Sequence, residues 1–259
     1  MHPAPGTRHS AHPKLSVNVN KVATIRNSRG GDVPSVMEAV RACIDAGAPG
    51  VTVHPRADER HIRRRDVVEI ADELSALRGR VEFNIEGDPR PDLIDLVLSV
   101  RPDQCTLVPV VPGEITSQAG WSASTPSGEL RSVIGRMHEA GVRVSVFVDP
   151  EAEPIRWARD LGADRVELYT EPFARAFARG PIAAAASFEQ YAHAARVAHE
   201  AGLGINAGHD LDLRNVTMFH ALPHLDEVSI GHALIGHALF VGLRQAVTDY
   251  LAALEGRSV

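Results

Sequence analysis

Lysine is almost absent. Of the chain's 27 basic residues only Lys14 and Lys21 are lysines. A sequence that uses arginine wherever a bare positive charge suffices gives its isolated lysine weight, because a compact ammonium serves as a phosphate point charge or, with a lowered pKa, as an amine nucleophile. Cysteine is equally scarce: Cys43 lies in a helical stretch and Cys105 in a strand-like one, with no metal-ligand spacing. Both read as small buried hydrophobes in a reducing compartment rather than as a disulfide framework. No apolar run approaches the roughly 18 residues that span a membrane. The formal charge is only −6 and the basic residues form no block, which argues against a nucleic-acid surface as the main business. The opening MHPAPGTRHSAHPK lacks the apolar segment of a signal peptide. Residues 1–14 are therefore expected to be a disordered tail, and residues 15–259 one soluble, cytoplasmic domain.

What the chain does have is alternation. From Leu15 onward, short apolar runs alternate with amphipathic helical stretches about eight times. The strand-like runs are Leu15–Val19, Val51–His54, Val81–Glu86, Gln104–Val108, Val142–Val148, Arg165–Tyr169, Leu203–Asn206 and Glu227–Ile230. Helices are expected from near Pro34, over Asp66–Leu77, Pro91–Val100, Ser127–Ala140 and Pro154–Leu161, up to Ala201, over Leu213–Ala221, and finally to Leu254. Long loops are expected after Val108 and over Thr170–Ala186, with Trp121 and Phe173 as lid or subunit-packing aromatics. Ala-Gly pairs before several strands are helix-stop chemistry. Eight β/α units in about 250 residues predict a single-domain (β/α)₈ TIM barrel with extra loop and helix elements.

In such a barrel, catalysis sits where strands end at their C-termini. Those ends carry Asn18, Asn20 and Lys21; His54 and Arg56; Glu86; Thr116 in the loop after the fourth strand; Glu167; His209; and Gly231 with His232. The paired Ala207-Gly208-His209 and Ile230-Gly231-His232 ends suit a phosphate, since glycine admits it to the backbone and a following helix offers N–H groups. A histidine at one strand end is often only structural. The basic run Arg60–Arg65 reads as a solvated face with Arg60 or His61 turned inward. His193, His199, His220, His224 and His237 read as ordinary polar positions.

The stretches Asn18–Gly30, Thr52–Ile62, Asn84–Glu86, Leu107–Pro109, Asn206–His209 and Ile230–His232 resemble the pyridoxine 5′-phosphate synthase family, in unbroken order over about residues 15–254. The resemblance implies an enzyme of vitamin B6 biosynthesis that condenses 1-deoxy-D-xylulose 5-phosphate with 3-amino-2-oxopropyl phosphate, releasing phosphate and water. It implies no metal or redox cofactor, and a homo-octamer built from dimers. It makes His54 an acid/base histidine, Glu86 a carboxylate base, His209 a proton donor and Glu167 a transition-state stabiliser. Asn18, Arg29, Gly231 and His232 fall where the amino-ketone phosphate binds. Asn20, Lys21, Arg56, His61 and Thr116 fall where the sugar phosphate binds, and Asp210 joins the substrate-binding set. The chain departs from the more familiar members at Asn20-Lys21 (Asp-His there), Tyr169 (histidine), Asp210 (glycine) and Val110-Val111-Pro112 (charged).

Rival readings use the same residues. A metal-dependent sugar isomerase would ligate its cation with His54, Glu86, Glu167 and His209, although no helix-borne ligand spacing supports it. A non-catalytic or altered-substrate barrel would bind phosphometabolites without this turnover. A Schiff-base aldolase would use Lys21.

Overall fold

Eight parallel strands close on themselves in chain order in the computed structural model, which describes residues 12–110 and 118–257. The strands are β1 (Lys14–Asn18), β2 (Gly50–Val53), β3 (Glu82–Gly87), β4 (Gln104–Leu107), β5 (Arg143–Val148), β6 (Arg165–Tyr169), β7 (Gly204–Gly208) and β8 (Leu225–Ile230). Ring closure comes from β1, whose Val17 pairs with Val51 of β2 and with Ile230 of β8. Period-2 alternation sorts each strand into two faces. One face presents Leu15 and Val17, Val51 and Val53, Val144 and Val146, all fully buried, to the surrounding helices. The other face fills the barrel and is unusually polar: Ser16, Thr52, Asn84, Gln104, Thr106, Ser145, Arg165, Asn206 and Glu227 are all buried. Barrel interiors are more often Val, Ile and Leu. Here some of the polar side chains bond one another, while Gln104 Nε2, Ser145 Oγ, Asn206 Nδ2 and Glu227 Oε2 are buried without a partner. Ser16 Oγ and Thr52 Oγ1 are 2.6 Å apart, and Thr106 Oγ1 donates to Asn84 Oδ1 at 3.1 Å.

The helices are α1 (Asn20–Asn27), α2 (Val36–Asp45), α3 (Arg64–Ser75), α4 (Pro91–Val100), α5 (Ser127–Glu139), α6 (Ala152–Leu161), α7 (Glu171–Ala178), α8 (Pro181–Glu200), α9 (Val216–Phe219), α10 (His232–Val241) and α11 (Leu243–Leu254). Local chemistry sets their ends. Ser35 Oγ accepts the N–H of Glu38 at 3.2 Å to start α2. Gly162, at φ 93°, closes α6 in the left-handed conformation that glycine adopts without strain. Three elements differ from expectation. The polar segment after β1 forms α1. The stretch expected as a loop after β6 is α7 plus the first turns of α8, its Phe173 fully buried among Phe177, Phe188, Tyr191 and Phe219. The last helix is two, broken at Gly242 with φ 86°. Trp121 is no lid either: its Nε1 donates to Leu107 O at 3.0 Å, tying the end of the loop to β4.

A buried ion pair locks the first units together. Arg26 of α1 donates to Asp66 through Nη1 at 2.7 Å and Nη2 at 2.9 Å, and Nη2 also reaches His61 O at 3.1 Å. Asp66 in turn accepts the Arg63 N–H at 2.8 Å and so caps α3. Both cysteines are free and buried, and burial pushes their thiols up to about 12. Among the described residues no helix is long and apolar enough to cross a membrane.

Candidate active site

The strand ends enclose a cavity of about 310 Å³. It is lined by Asn18, Asn20, Lys21, His54, Arg56, His61, Glu86, Glu167, His209, Asp210, Gly231 and His232, so twelve residues expected from the sequence converge on one space. Arg29 does not join them. It is exposed beyond the end of α1, its N–H bonded to Arg26 O at 3.3 Å. Thr116 lies outside the described residues.

Backbone and side-chain bonds hold the β1–β3 wall in register. Asn18 Oδ1 accepts the Asn20 N–H at 3.1 Å, and Asn20 Oδ1 accepts the His54 N–H at 2.9 Å. Glu86 receives Asn18 Nδ2 and Ser229 Oγ, each at 3.4 Å, while His54 Nδ1 stands 3.8 Å from Glu86 Oε2. Burial raises the Glu86 carboxyl to about 8; the Ser229 hydrogen bond opposes the rise and Glu227 adds to it. Burial also drives His54 well below the ordinary histidine value, helped by His61, Arg56, Arg90 and His209. At neutral pH the pair is a neutral imidazole beside a carboxyl that titrates nearby, and His54 Nε2 is buried with no partner.

Across the cavity, His209 stands at φ 80° and Asp210 at φ 57°. Two successive side-chain-bearing residues in the left-handed region are strained and must be held there. Thr170 Oγ1 grips the Gly208 carbonyl at 2.6 Å and also donates to the His209 carbonyl, and Asn215 Nδ2 donates to Asp210 O at 3.1 Å. The His209 ring packs 5.0 Å from Phe147 and 5.5 Å, edge-on, from Tyr169. Burial lowers its pKa and the adjacent Asp210 opposes that. Glu167, 2% exposed, has Oε2 without a partner; burial first, then Glu86, raises its pKa well above the usual carboxylate value.

Two parts of the lining suit anions. Lys21, Arg56 and His61 form a basic wall, and burial followed by Arg56 and Lys21 pushes His61 down to about 4. Beside it, across the β8–β1 pairing, Gly231 begins α10, and Gly231, His232 and Ala233 at its N-terminus line the cavity, where the N–H groups of a helix start suit an anion. Sequence reasoning missed Ser229, Phe147, Val108 and Leu211 in the lining. Ser229 was reachable, since it shares the strand face of Gly231 two residues on. Among the described residues, no three His, Cys, Asp or Glu are grouped to hold a metal ion, so the four isomerase ligands do not converge as such.

A (β/α)₈ barrel whose mouth joins two anion-suited walls to buried acid/base groups defines an enzyme acting on phosphate esters by proton transfer. Residues 15–256 match the family model described as "Pyridoxal phosphate biosynthesis protein PdxJ", and the chain belongs to that family. It is 54% identical to a pyridoxine 5′-phosphate synthase of Bacteroides fragilis over 243 residues, covering 93% of this chain and 99% of that one. The corresponding enzyme of Bacteroides thetaiotaomicron is 52% identical, with 93% and 99% covered. Among solved structures, KGPDC from Streptococcus mutans superposes with a TM-score of 0.60 at 9% identity, covering 94% of this chain and 98% of that one. That likeness reports the shared barrel alone.

Proposed function

We propose that this chain is a pyridoxine 5′-phosphate synthase, joining 1-deoxy-D-xylulose 5-phosphate to 3-amino-2-oxopropyl phosphate with loss of phosphate and water. The observation that carries the reading is one cavity lined together by Lys21, Arg56 and His61, by the α10 N-terminus, and by His54, Glu86 and His209. Two phosphorylated substrates need two anion-binding places, and the basic residues and the α10 N-terminus offer them in the same cavity as the proton-transfer groups. Imine formation, dehydration, phosphate elimination and ring closure each move protons. Glu86, titrating near neutrality, can take and return one; neutral His54 offers Nε2 as an acceptor or donor. His209 retains one N–H in its neutral form and donates from the opposite wall. Glu167, neutral through burial, donates a hydrogen bond to an oxygen gaining charge, as a carboxylic acid held protonated can.

The same reading places the protein in the cytoplasm, with its substrates, and makes it a homo-octamer built from dimers. Support for assembly comes from α10 and its neighbours, where Leu239 is 70% and Phe240 89% exposed, an apolar surface of the kind subunits cover. The deciding experiment incubates metal-stripped protein with both phosphates and follows pyridoxine 5′-phosphate and released phosphate. Product from wild type establishes the synthase. Binding of either phosphate ester without product sinks it in favour of an altered-substrate barrel, and borohydride trapping of substrate on Lys21 would favour the aldolase.

A further inference from the structure

Below the cavity, the barrel holds a second set of ionisable groups that the proposed chemistry does not use. Glu227 of β8 is 1% exposed and lies outside the cavity lining. Its register partner on β7 is Asn206, whose partner on β6 is Glu167. The three side chains therefore stand abreast on adjacent strands. Glu227 Oε2 and Glu167 Oε2 are both buried without a hydrogen-bond partner.

The charged groups facing Glu227 are Arg165 and Glu167 from β6, Arg143 from β5, and Glu82 and Glu86 from β3, with Lys14 of β1 in register; β7 and β4 contribute neutral Asn206 and Gln104. Most of this positive charge is already committed. Arg143 bonds Glu82 and, through Nε, Gln104 Oε1 at 3.0 Å, and the Lys14 ammonium lies 3.9 Å from Glu82. Among the described residues below the cavity, that leaves Arg165, whose Nη1 donates to Asn206 Oδ1 at 2.9 Å. One guanidinium cannot neutralise both Glu167 and Glu227. A buried carboxylate lacking its own cation binds a proton instead.

We propose that Glu227 is held as a neutral carboxylic acid and is a positioning residue for Glu167, fixing its protonation across the Arg165–Asn206 bridge. Burial raises Glu227 to about 8, with Glu82 and Glu167 adding to the rise and Arg165 and Arg143 opposing it. Arg165 and Arg143 face Glu227 and favour its ionised form, whereas the charged group acting on Glu167 is the carboxyl of Glu86. As pH climbs, Glu227 is therefore the first of the two to give up its proton, and because the two repel each other, its negative charge keeps the Glu167 proton in place. Glu167 thereby remains a hydrogen-bond donor further into the alkaline range. This rests on the role given to Glu167 in the synthase reading.

The test joins an infrared titration of the free protein to the pH profile of turnover. In wild type, protonated-carboxyl C=O stretches from Glu227 and Glu86 should be present at neutral pH and fade near pH 8; Glu227→Gln should remove one component of that titrating signal and Glu86→Gln, as a control, the other. In the same variant the alkaline limb of kcat should move down by roughly one pH unit, because Glu167 loses the charge that retained its proton. KM for both phosphates should stay, since Glu227 touches neither. Arg165→Gln should move the limb up. A merely structural role would lower kcat in both variants without opposite shifts. An unchanged C=O signal or an unmoved limb in Glu227→Gln overturns the proposal. So does failure of that variant to fold, because glutamine reproduces the shape and neutrality of the protonated acid. Absence of synthase turnover in wild type would instead overturn the functional reading and leave the infrared titration to decide the protonation of Glu227.

Discussion

Gly208 and Glu167 approach so closely that a β-carbon on the glycine would stand 2.2 Å from Glu167 Oε1 and 3.2 Å from its Cδ. Glycine is required here for space rather than for backbone freedom, because Gly208 is not among the glycines with positive φ. Gly208→Ala should push the Glu167 carboxyl aside while the strand stays paired. Displacement by about 1 Å typically costs about 10²-fold in rate, so kcat should fall by that order with KM less affected. Steady-state kinetics beside a melting curve separates this from loss of fold.

Glu86→Gln and His209→Ala should each reduce kcat by about 10²–10⁴-fold, the usual worth of a positioned acid or base. His54→Asn should do the same. Each side chain is held mainly by neighbours' backbone and side chains, so the variants should remain folded. Product formation under saturating substrate checks this, and wild-type kcat in any of the three removes that residue from the chemistry.

Stability should fall as pH rises through neutrality. Glu86 and Glu227 titrate at about 8 in the fold against an ordinary 4.5, and Glu167 is shifted the same way. Between those values the native state binds more protons than the unfolded chain, so the stability these groups give is full below 4.5 and is lost as pH rises to about 8. The buried histidines act the other way: with His61 at about 4 against 6.5, and His54 and His209 also lowered, they remove stability as pH falls below 6.5. Above pH 6.5 the carboxyls act alone. Calorimetric Tm should decline from there to about pH 8, and a flat or rising profile would refute the protonated-carboxyl picture.

The Arg26–Asp66 pair has side chains 3% and 4% exposed. Removing one partner strands a buried charge, so Arg26→Met or Asp66→Asn should lose about 3–5 kcal/mol, and the double exchange to apolar residues should recover much of it. Urea denaturation of the singles and the double would measure the coupling.

The barrel was legible because buried β-branched runs alternate with capped helices, and the active-site wall because His54, Glu86 and His209 fall where those runs stop. What stayed hidden depends on partners distant in sequence. Nothing local in Asn20–Asn27 marks a helix: its N-cap makes no side-chain hydrogen bond, and Arg26 is anchored by Asp66 from another unit. The segment after Thr170 reads as a loop until Phe173 is seen within an aromatic cluster drawn from three helices. Glu227 looked like the polar start of a strand. Its importance arises only when closure of the ring sets it beside Asn206, Glu167 and Arg165. Arg29 shows the reverse: resemblance assigns it to the amino-ketone phosphate, yet within one chain it faces solvent.

Closure of β1 onto β8 also bears on how the protein is made. Lys14, at the start of the described barrel, pairs with Glu227, in its last strand. A ribosome delivers Lys14 long before Glu227, so β1 waits with one edge unpaired while seven strands emerge. Throughout that interval the unpaired edge can recruit a strand from another nascent chain. A truncation before Leu225 would make the exposure permanent, leaving two open edges and the acids and guanidinium of the lower barrel in contact with water. The final strand is thus the folding checkpoint of the chain, and premature termination upstream of it should yield aggregation-prone product rather than a weakened enzyme.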